Sequence, residues 1–293
     1  ESYDTVISIA EPLASHLVML RLLNKLKEVQ KIVWFSDPPP IHRSMLKLRF
    51  RRNLVKRLVQ NICFHADLVI SVTEEIVQEI RSIGVDTKDI WVLPHVYDQH
   101  DWSLLGNRNH LNLGTIKVLH SGALYWLRRP DKLLSGIENA NNLNGGVSFK
   151  AVLQGAVASE ITAYLSNYNS KSVELVGSAG LRASLERMRA SDILCIIDVD
   201  LEKNVHLPSK IADYVAARKP ILYIGRENSQ TCRWLAAVHP AFAQGYTEEE
   251  VTLALLQLFD RMQALSDGDF DDACALFELN SAYLNLNQFI SAG

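Results

Sequence analysis

Short apolar runs of strand length alternate with helical patterns in the first third of the chain. The strand-like runs are TVISIA (5–10), KIVWFS (31–36), DLVISV (67–72) and DIWVLPH (89–95). The helical patterns between them span 13–29, 43–62 and 74–84, and we expect Thr73 to cap the last of these and Gly84 to end it. Apolar strands that alternate with helices are typical of parallel sheets covered on both faces.

The same alternation restarts after residue 114. Strand-like runs lie at 116–122, 147–155, 172–177, 192–198 and 220–225, with helical patterns between them, and further helical patterns end the chain. The stretch between the two blocks, DQHDWSLLGNRNHLNLG (98–114), has no periodicity and is rich in Asn, Asp and Gly, which indicates a linker.

These patterns predict an α/β fold of two Rossmann-like domains with parallel sheets that face a cleft. The predicted boundaries are residues 1–97 for the first domain, 98–114 for the linker, 115–267 for the second domain, and 268–293 for a helical segment that packs back on the first domain. Only three or four strands precede the linker. We therefore expect the first domain to be incomplete, with roughly 80 to 100 residues missing before Glu1.

Charge and composition narrow the function classes. The 293 residues are 48% hydrophobic with a net charge of −3, which is typical of a soluble globular protein and does not favour a nucleic acid partner. One stretch differs, because residues 43–57 (RSMLKLRFRRNLVKR) carry seven Lys or Arg and no acid. Such a helix can lie on an anionic membrane or approach a lipid-linked acceptor, or it can be the basic outer face of a packed helix.

Cysteine and histidine spacing signals no metal site. The four cysteines form no CxxC pair, and the nine histidines form no HxxxH or HExxH motif. Reduced cysteines favour a cytoplasmic location, and no apolar run approaches the ~18 residues of a membrane span.

Three predicted strand ends in the second block carry glycine, and parallel strands present their carboxyl ends at one edge of a sheet. Gly122 would let a ligand approach the backbone, and Arg128 or Arg129 could pair with a diphosphate or form a solvated pair at a helix start. Two further turns are QGAVAS, with Gly155, and VGSAG, with Gly177 and Ser178. Each could lie along a nucleotide base or phosphate, or it could be an ordinary tight turn.

A fourth segment, HLPSKIADYVAARKPILYI (206–224), places polar residues at a predicted helix start. Pro208 suits the first helical position, and Ser209 and Lys210 then lie in the first turn, where free N–H groups attract anions. Asp213, one turn later, could accept hydrogen bonds from ribose hydroxyls. The alternative is a lysine that points into solvent.

Taken together, these segments resemble the retaining GT-B glycosyltransferases of family four, which use nucleotide sugars. Residues 66–98 are similar to the family's ADxVIxxS stretch, VLHSGALYWLRRPDKLL (118–134) is similar to its xGxlxxxRxPxxLL loop, and HLPSK is similar to its PSK donor motif. The resemblance implies a donor-binding second block and an acceptor-binding first block. It also implies transfer of a hexose to a glycan or lipid-linked acceptor hydroxyl in surface polysaccharide or glycoconjugate synthesis, at the inner face of the membrane, with no cofactor or metal.

The resemblance also implies roles for individual residues. Arg129 would match the diphosphate-binding basic position and Lys210 the motif lysine, with Asp213 as the ribose-binding acid. His16 would match the first-domain histidine near the sugar, or it is a histidine satisfied on a helix face. The implied catalytic residues are His16, Arg129 and Lys210. The implied donor-binding residues are Gly122, Arg128, Gly155, Gly177, Ser178, Pro208, Ser209 and Asp213.

The sequence departs from the family pattern at several of these positions. Ala123 replaces the arginine after the first glycine, Arg218 replaces a glycine, Asp213 replaces a glutamate, and KNVHL (203–207) replaces the glutamate-containing donor loop. Two further functions therefore stay open, namely a sugar-nucleotide 2-epimerase and a non-catalytic nucleotide-sugar-binding subunit.

Overall fold

The computed structural model of the chain describes residues 3–10, 13–23, 29–39, 49–86, 89–105, 114–143, 146–167, 172–202, 204–280, 284 and 286–287. The chain divides into two units. The first comprises residues 1–95, 205–208 and 280–293, and the second comprises residues 96–204 and 209–279. None of the helices among the described residues is long and apolar enough to cross a bilayer.

The first unit contains a sheet of four parallel strands in the order β1-β2-β3-β4. Its elements are β1 (Thr5–Ala10), α1 (Ala14–Leu23), β2 (Gln30–Phe35), α2 (Arg49–His65), β3 (Leu68–Ser71), α3 (Glu74–Arg81) and β4 (Ile90–Val92). The Thr73 hydroxyl accepts the Ile76 N–H at 3.3 Å, which confirms the predicted helix cap. Of the predicted basic stretch 43–57, residues 43–48 lie outside the described residues.

The second unit contains a sheet of six parallel strands in the order β10-β9-β8-β5-β6-β7. Its elements are α4 (Gln99–Ser103), β5 (Thr115–Ser121), α5 (Asp131–Leu143), β6 (Ser148–Gln154), α6 (Ser159–Asn167), β7 (Val173–Gly177), α7 (Leu181–Ala190), β8 (Ile193–Ile197), α8 (Lys210–Ala216), β9 (Ile221–Ile224), α9 (Gln230–Val238), β10 (Phe242–Gly245), α10 (Glu248–Met262) and α11 (Asp271–Phe277). All five residues of β8 are buried, as expected for a parallel strand covered on both faces. The predicted α/β fold with two parallel sheets is confirmed.

Two boundaries differ from the prediction. Residues 96–105 belong to the second unit. Helix α4 forms within the segment predicted as a linker, and the Asp98 carboxylate caps it by accepting the His100 N–H at 2.8 Å. Residues 106–113 of that segment lie outside the described residues. Helix α11 also belongs to the second unit, because its buried face, with Cys274 and Phe277, contacts helix α8. Of the residues that follow, the described Asn280, Leu284, Leu286 and Asn287 cluster with the first unit.

Candidate functional site

The strand order of the second unit contains a point where the chain changes direction. After β5 the chain continues outward to β6 and β7, then returns to β8 on the other side of β5. Strand β5 ends at Ser121 and β8 ends at Ile197. In open parallel sheets, ligands bind at the carboxyl ends of the strands at such a switch point. The site is therefore expected beside the loop that follows Ser121.

Lys210 and Gly122 meet at this point. The Lys210 ammonium, at the start of α8, donates a hydrogen bond to the Ser121 carbonyl. A Cβ atom at position 122 would lie 1.9 Å from Lys210 Nζ, so only glycine leaves room for the ammonium. Gly122 and Lys210, which were predicted separately, are therefore packed against each other.

The other two glycine loops join Gly122 along the same edge. The Gly122 N–H donates to the Gln154 carbonyl at 2.7 Å, and the Gly155 N–H donates to the Gly177 carbonyl at 3.0 Å. A Cβ at Gly155, where φ is +133°, would lie 2.3 Å from the Gly122 carbonyl oxygen. The structure therefore brings Gly122, Gly155 and Gly177 together, and Ser178 is exposed beside them.

A buried polar network holds the end of β5 in place. His120 Nδ1 lies 3.0 Å from the Cys195 carbonyl, which can only accept, so Nδ1 carries the proton and Nε2 is an acceptor. The Tyr214 hydroxyl accepts the Ser121 N–H at 2.8 Å and donates to the Cys195 carbonyl at 3.3 Å. His120 and Tyr214 are fully buried. They hold the end of β5, where the Ser121 carbonyl binds Lys210.

The positive charge of the network has no ion-pair partner among the described residues, and the Asp198 charge, which acts on Lys210, offsets only part of it. Burial, and then the neighbouring Arg128 guanidinium, lower the pKa of Lys210 to about 8. Burial, then Lys210 and Arg128, hold the pKa of His120 well below its ordinary value, so this histidine is neutral. No carboxylate pairs with Lys210 or Arg128 in the part of the chain that the structure describes. An anionic ligand would relieve this repulsion.

The two adjacent arginines have different surroundings. Arg128 is half-buried, with its guanidinium carbon 5.3 Å from the Tyr125 ring centroid, and its charge acts on Lys210 and His120. Arg129 is exposed and pairs with Asp131 through Nε–Oδ2 (2.7 Å) and Nη2–Oδ1 (3.0 Å) contacts. The structure therefore places Arg128, rather than Arg129, with the other cation of the site.

Helix α8 begins later than predicted. Pro208 is buried and belongs to the first unit, and Ser209 is the exposed N-cap, with a side chain that makes no capping bond. Lys210 is thus the first helical residue. The half-buried Asp213 carboxyl faces Trp102 of α4, and burial raises the pKa of Asp213 to about 6, with Trp102 opposing the shift and Asp101 adding to it.

His16 lies in the first unit and is completely buried. Its Nδ1 is 2.6 Å from the Ser8 hydroxyl, and its ring packs edge-on against Phe35 at 5.0 Å. Burial lowers the pKa of His16 to about 4, so the ring is neutral at pH 7. Its Nε2 is buried without a hydrogen-bond partner among the described residues, so only one of the two ring nitrogens is satisfied.

Sequence reasoning missed several polar residues. His120 and Tyr214 stand within strand and helix patterns and gave no separate signal. In the first unit, His206 Nε2 lies 2.8 Å from Asp37 Oδ1, and the charges of both act on His95. The position of Asp37 directly after a predicted strand was the sequence signal that could have identified it. Among the described residues, no group of three or more His, Cys, Asp or Glu side chains could hold a metal ion.

Comparison with known proteins identifies the fold. No protein-family model matches the sequence, and no curated protein does. Sucrose-phosphate synthase from Thermosynechococcus elongatus aligns with a TM-score of 0.73 at 13% identity, over 99% of this chain and 73% of its own. HepE from Anabaena, solved with UDP and glucose, aligns with a TM-score of 0.73 at 13% identity, over 99% and 78%. The fold is GT-B.

The GT-B likeness extends to a further class of protein. A putative UDP-N-acetylglucosamine 2-epimerase from Listeria monocytogenes aligns with a TM-score of 0.60 at 12% identity, over 97% of this chain and 72% of its own. At 12–13% identity such likeness establishes the fold alone.

Proposed function

We propose that the protein transfers a sugar from a nucleoside diphosphate sugar to an acceptor hydroxyl. The observation that carries the proposal is the convergence of Lys210 and Arg128 beside Gly122 at the switch point of the GT-B sheet. Two neighbouring cations without a carboxylate partner in the described residues make an anion site. A leaving diphosphate is an anion that fixed cations stabilise as its charge develops.

This placement supports the following proposed residue roles. Lys210 and Arg128 bind the diphosphate, with Arg128 in the role first given to Arg129. Asp213 binds the ribose, and the loops that contain Gly155 and Gly177 lie along the base. Ser178 and Ser209 belong to the same donor site. For Pro208 and His16, which lie in the first unit, the proposed roles stay those that the family resemblance implies, donor binding and a position near the sugar. UDP is the first nucleotide to test, because HepE shares the fold and was solved with UDP and glucose.

The proposed chemistry retains the anomeric configuration. The acceptor oxygen forms a bond to the anomeric carbon on the face from which the diphosphate leaves. The bond between that carbon and the diphosphate oxygen breaks, and the acceptor proton passes to the leaving diphosphate. Lys210 and Arg128 stabilise the charge on the leaving oxygen, so the proposal includes no metal cofactor.

The test is UDP release from UDP-glucose, UDP-galactose and UDP-N-acetylglucosamine with candidate glycan and lipid-linked acceptors. Lys210→Ala and Arg128→Ala should each lower UDP release about 100-fold, the loss typical for one stabilising donor. Arg182→Ala, which removes an exposed arginine from α7, is the matched control and should leave the rate unchanged. Equal rates for all variants would refute the site assignment.

The other two functions give different outcomes in the same experiment. A 2-epimerase would interconvert UDP-N-acetylglucosamine and its 2-epimer without any acceptor, which nuclear magnetic resonance detects. A non-catalytic subunit, favoured by Ala123 and Arg218, would bind UDP in calorimetry and turn over no donor with any acceptor.

We also propose that α2 brings the enzyme to an anionic membrane surface at its cytoplasmic face, in synthesis of a surface polysaccharide or glycoconjugate. Helix α2 has no acidic residue, and its outer face repeats at helical spacing through Phe50, Leu54, Arg57, Asn61 and Phe64. Phe50, Leu54 and Phe64 are 66–72% exposed. Exposed apolar side chains beside cations are the pattern of an interfacial helix.

Vesicle sedimentation tests this membrane contact. Wild type should bind vesicles that contain phosphatidylglycerol and not pure phosphatidylcholine, and Phe50→Ser with Leu54→Ser should abolish binding. Leu143→Ser, at a 70% exposed leucine on α5, is the control. Equal binding of all three proteins to anionic vesicles would show that another surface is responsible.

A further inference from the structure

A buried carboxylate lies at the end of strand β8. Asp198 follows the last residue of this strand and is only 5% exposed. Its Oδ1 atom accepts the Val199 N–H at 2.8 Å and an Asn204 Nδ2 hydrogen at 2.8 Å. Its Oδ2 atom accepts the hydroxyl hydrogen of Tyr223 in β9. Three hydrogen bonds therefore satisfy a carboxylate that is almost out of reach of solvent.

The contacts of Asp198 extend to the start of helix α9. An ionised carboxylate can only accept, so the single hydroxyl proton of Tyr223 goes to Asp198, and the Ser229 hydroxyl donates to the Tyr223 oxygen. Ser229 is the N-cap residue of α9. The Asn204 carbonyl accepts the N–H of Gln230, the first residue of this helix, at 3.2 Å. One carboxylate thus links β8, β9 and the start of α9.

These contacts hold the loop 198–204 at both of its ends. At the first end, the Asp198 N–H donates to the Ile224 carbonyl of β9 at 2.9 Å. At the second end, the Asn204 amide returns to the carboxylate of Asp198. The chain then continues to Lys210, the first residue of α8. The loop that leads to the Lys210 site is therefore closed on a single anion.

The charge of Asp198 acts on Lys210 without an ion pair. Among the described residues, the ammonium donates to a backbone carbonyl and no carboxylate pairs with it. Burial, and then Arg128, lower the pKa of Lys210, and the Asp198 charge opposes them. The other titratable groups beside the ammonium are the neutral His120 and the buried Cys195 thiol. A negative charge outside hydrogen-bonding contact favours the ammonium form and does not occupy its N–H donors.

We propose that Asp198 is a positioning residue of the donor site, which holds the loop 198–204 in place and balances the charge of Lys210 from a distance. A carboxylate in direct contact would compete with a diphosphate for the ammonium, whereas Asp198 is engaged by its own three donors. This role rests on the proposed function, because it assists catalysis only if a diphosphate binds at Lys210.

The first experiment measures the pKa of Lys210 without nucleotide, from its Cε resonance in protein with isotope-labelled lysine, assigned with Lys210→Arg. Asp198→Asn keeps the side-chain shape and removes the charge, so the pKa of Lys210 should fall by roughly 0.5 to 1. Asp192→Asn is the matched control. Asp192 is the buried carboxylate just before β8, where it accepts the Lys117 N–H at 2.8 Å, and its loss should leave the pKa of Lys210 unchanged. An unchanged pKa in Asp198→Asn, or an equal fall in both variants, would refute the proposal.

The same substitution should weaken UDP binding in a way that depends on pH. At pH 8, the apparent Kd of Asp198→Asn for UDP should be about two- to fivefold higher than that of wild type, because fewer Lys210 side chains carry a proton. At pH 6, Lys210 is charged in both proteins and the two Kd values should agree. A loss of affinity by the same factor at both pH values would indicate a structural role alone and would contradict the proposal.

Two further variants test the loop contacts while the charge is kept. Asn204→Ala and Tyr223→Phe each remove one donor to Asp198. Amide exchange at Gln230 should become about three- to tenfold faster in both, while the pKa of Lys210 stays that of wild type. If urea denaturation shows that Asp198→Asn does not fold, these two variants decide the result. Unchanged exchange in both would show that Asp198 does not hold the loop.

The proposed function fails in a different way. A protein that binds no UDP at any pH has no donor site at Lys210. The resonance and exchange measurements need no nucleotide, so they still decide whether Asp198 balances Lys210 and holds the loop. Conversely, UDP binding together with an unchanged pKa of Lys210 in Asp198→Asn refutes the role of Asp198 and leaves the donor site standing.

Discussion

UDP should bind less tightly as pH rises from 7 to 9, because Lys210 loses its proton in this range. Burial beside Arg128 lowers the pKa of Lys210 from 10.5 to about 8. The lowered pKa means that the free protein releases this proton more readily than an exposed lysine does. A diphosphate binds the ammonium and not the neutral amine, so each deprotonated molecule must first regain a proton.

The size of the effect follows from the pKa. With a pKa of about 8, roughly nine-tenths of Lys210 is charged at pH 7 and about one-tenth at pH 9. The apparent Kd for UDP should therefore rise about tenfold, ~1.4 kcal/mol of binding free energy. A phosphate group titrates near pH ~6, so the charge of UDP changes little over this interval.

Calorimetry at constant ionic strength from pH 7 to 9 measures the profile. Lys210→Arg is the first control, because a guanidinium keeps its charge throughout and should give a flat profile. Lys210→Ala should bind UDP weakly at every pH, again without a slope from this residue. Any titration of the base appears equally in all three proteins. A flat wild-type profile, or the same slope in Lys210→Arg, would refute the role of Lys210.

Three further variants test other contacts. Gly122→Ala should weaken UDP binding about tenfold or more, because the new Cβ would lie 1.9 Å from Lys210 Nζ. Gly146→Ala is the control, since the space around Gly146 is open, and it should bind UDP as wild type does in the same titration. Arg218 has a φ of +54°, a backbone conformation that glycine adopts without strain and alanine does not. In urea denaturation, Arg218→Gly should therefore be more stable than Arg218→Ala by about 1 kcal/mol, and equal stabilities would show that the backbone is not strained. Burial raises the pKa of Asp213 to about 6, above its unfolded value of 3.8. The stability that this group contributes is therefore lost as pH rises from about 4 to 6, and the full loss remains above pH 6. In urea denaturation, Asp213→Asn should therefore stabilise the protein by up to about 3 kcal/mol at pH 7.5 and by about half as much at pH 5. A gain in stability that is the same at both pH values would count against the raised pKa of Asp213.

The alternation of strands and helices could be predicted because each buried parallel strand is a continuous apolar run. Strand β1 begins and ends as predicted, at Thr5 and Ala10. Strand β10 was missed, since its sequence, FAQG, is short and has no such run. Helix α4 was missed because five residues show no helical period, although the Asp98 cap was a usable signal.

The site could be predicted only as far as strand ends and glycines determine it. Gly122, Gly155 and Gly177 follow predicted strands, and parallel strands bring their ends to one edge. The choice between Arg128 and Arg129 could not be made from sequence, because neighbouring residues in a turn project in different directions. Here a pair of backbone hydrogen bonds between Tyr125 and Arg128 fixes the turn.

The arrangement around Lys210 explains why a neutral histidine stands beside two cations. A charged His120 would add a third positive charge to a buried site, whereas the neutral ring supports Ser121 through the Cys195 carbonyl without adding charge. Among the described residues, the ammonium is held by the Ser121 carbonyl, a dipole, and no carboxylate pairs with it. A carboxylate there would neutralise Lys210 and compete with a diphosphate for it. Holding the cation with backbone oxygen keeps its full charge for the ligand, and this preorganised charge is what stabilising a departing diphosphate requires.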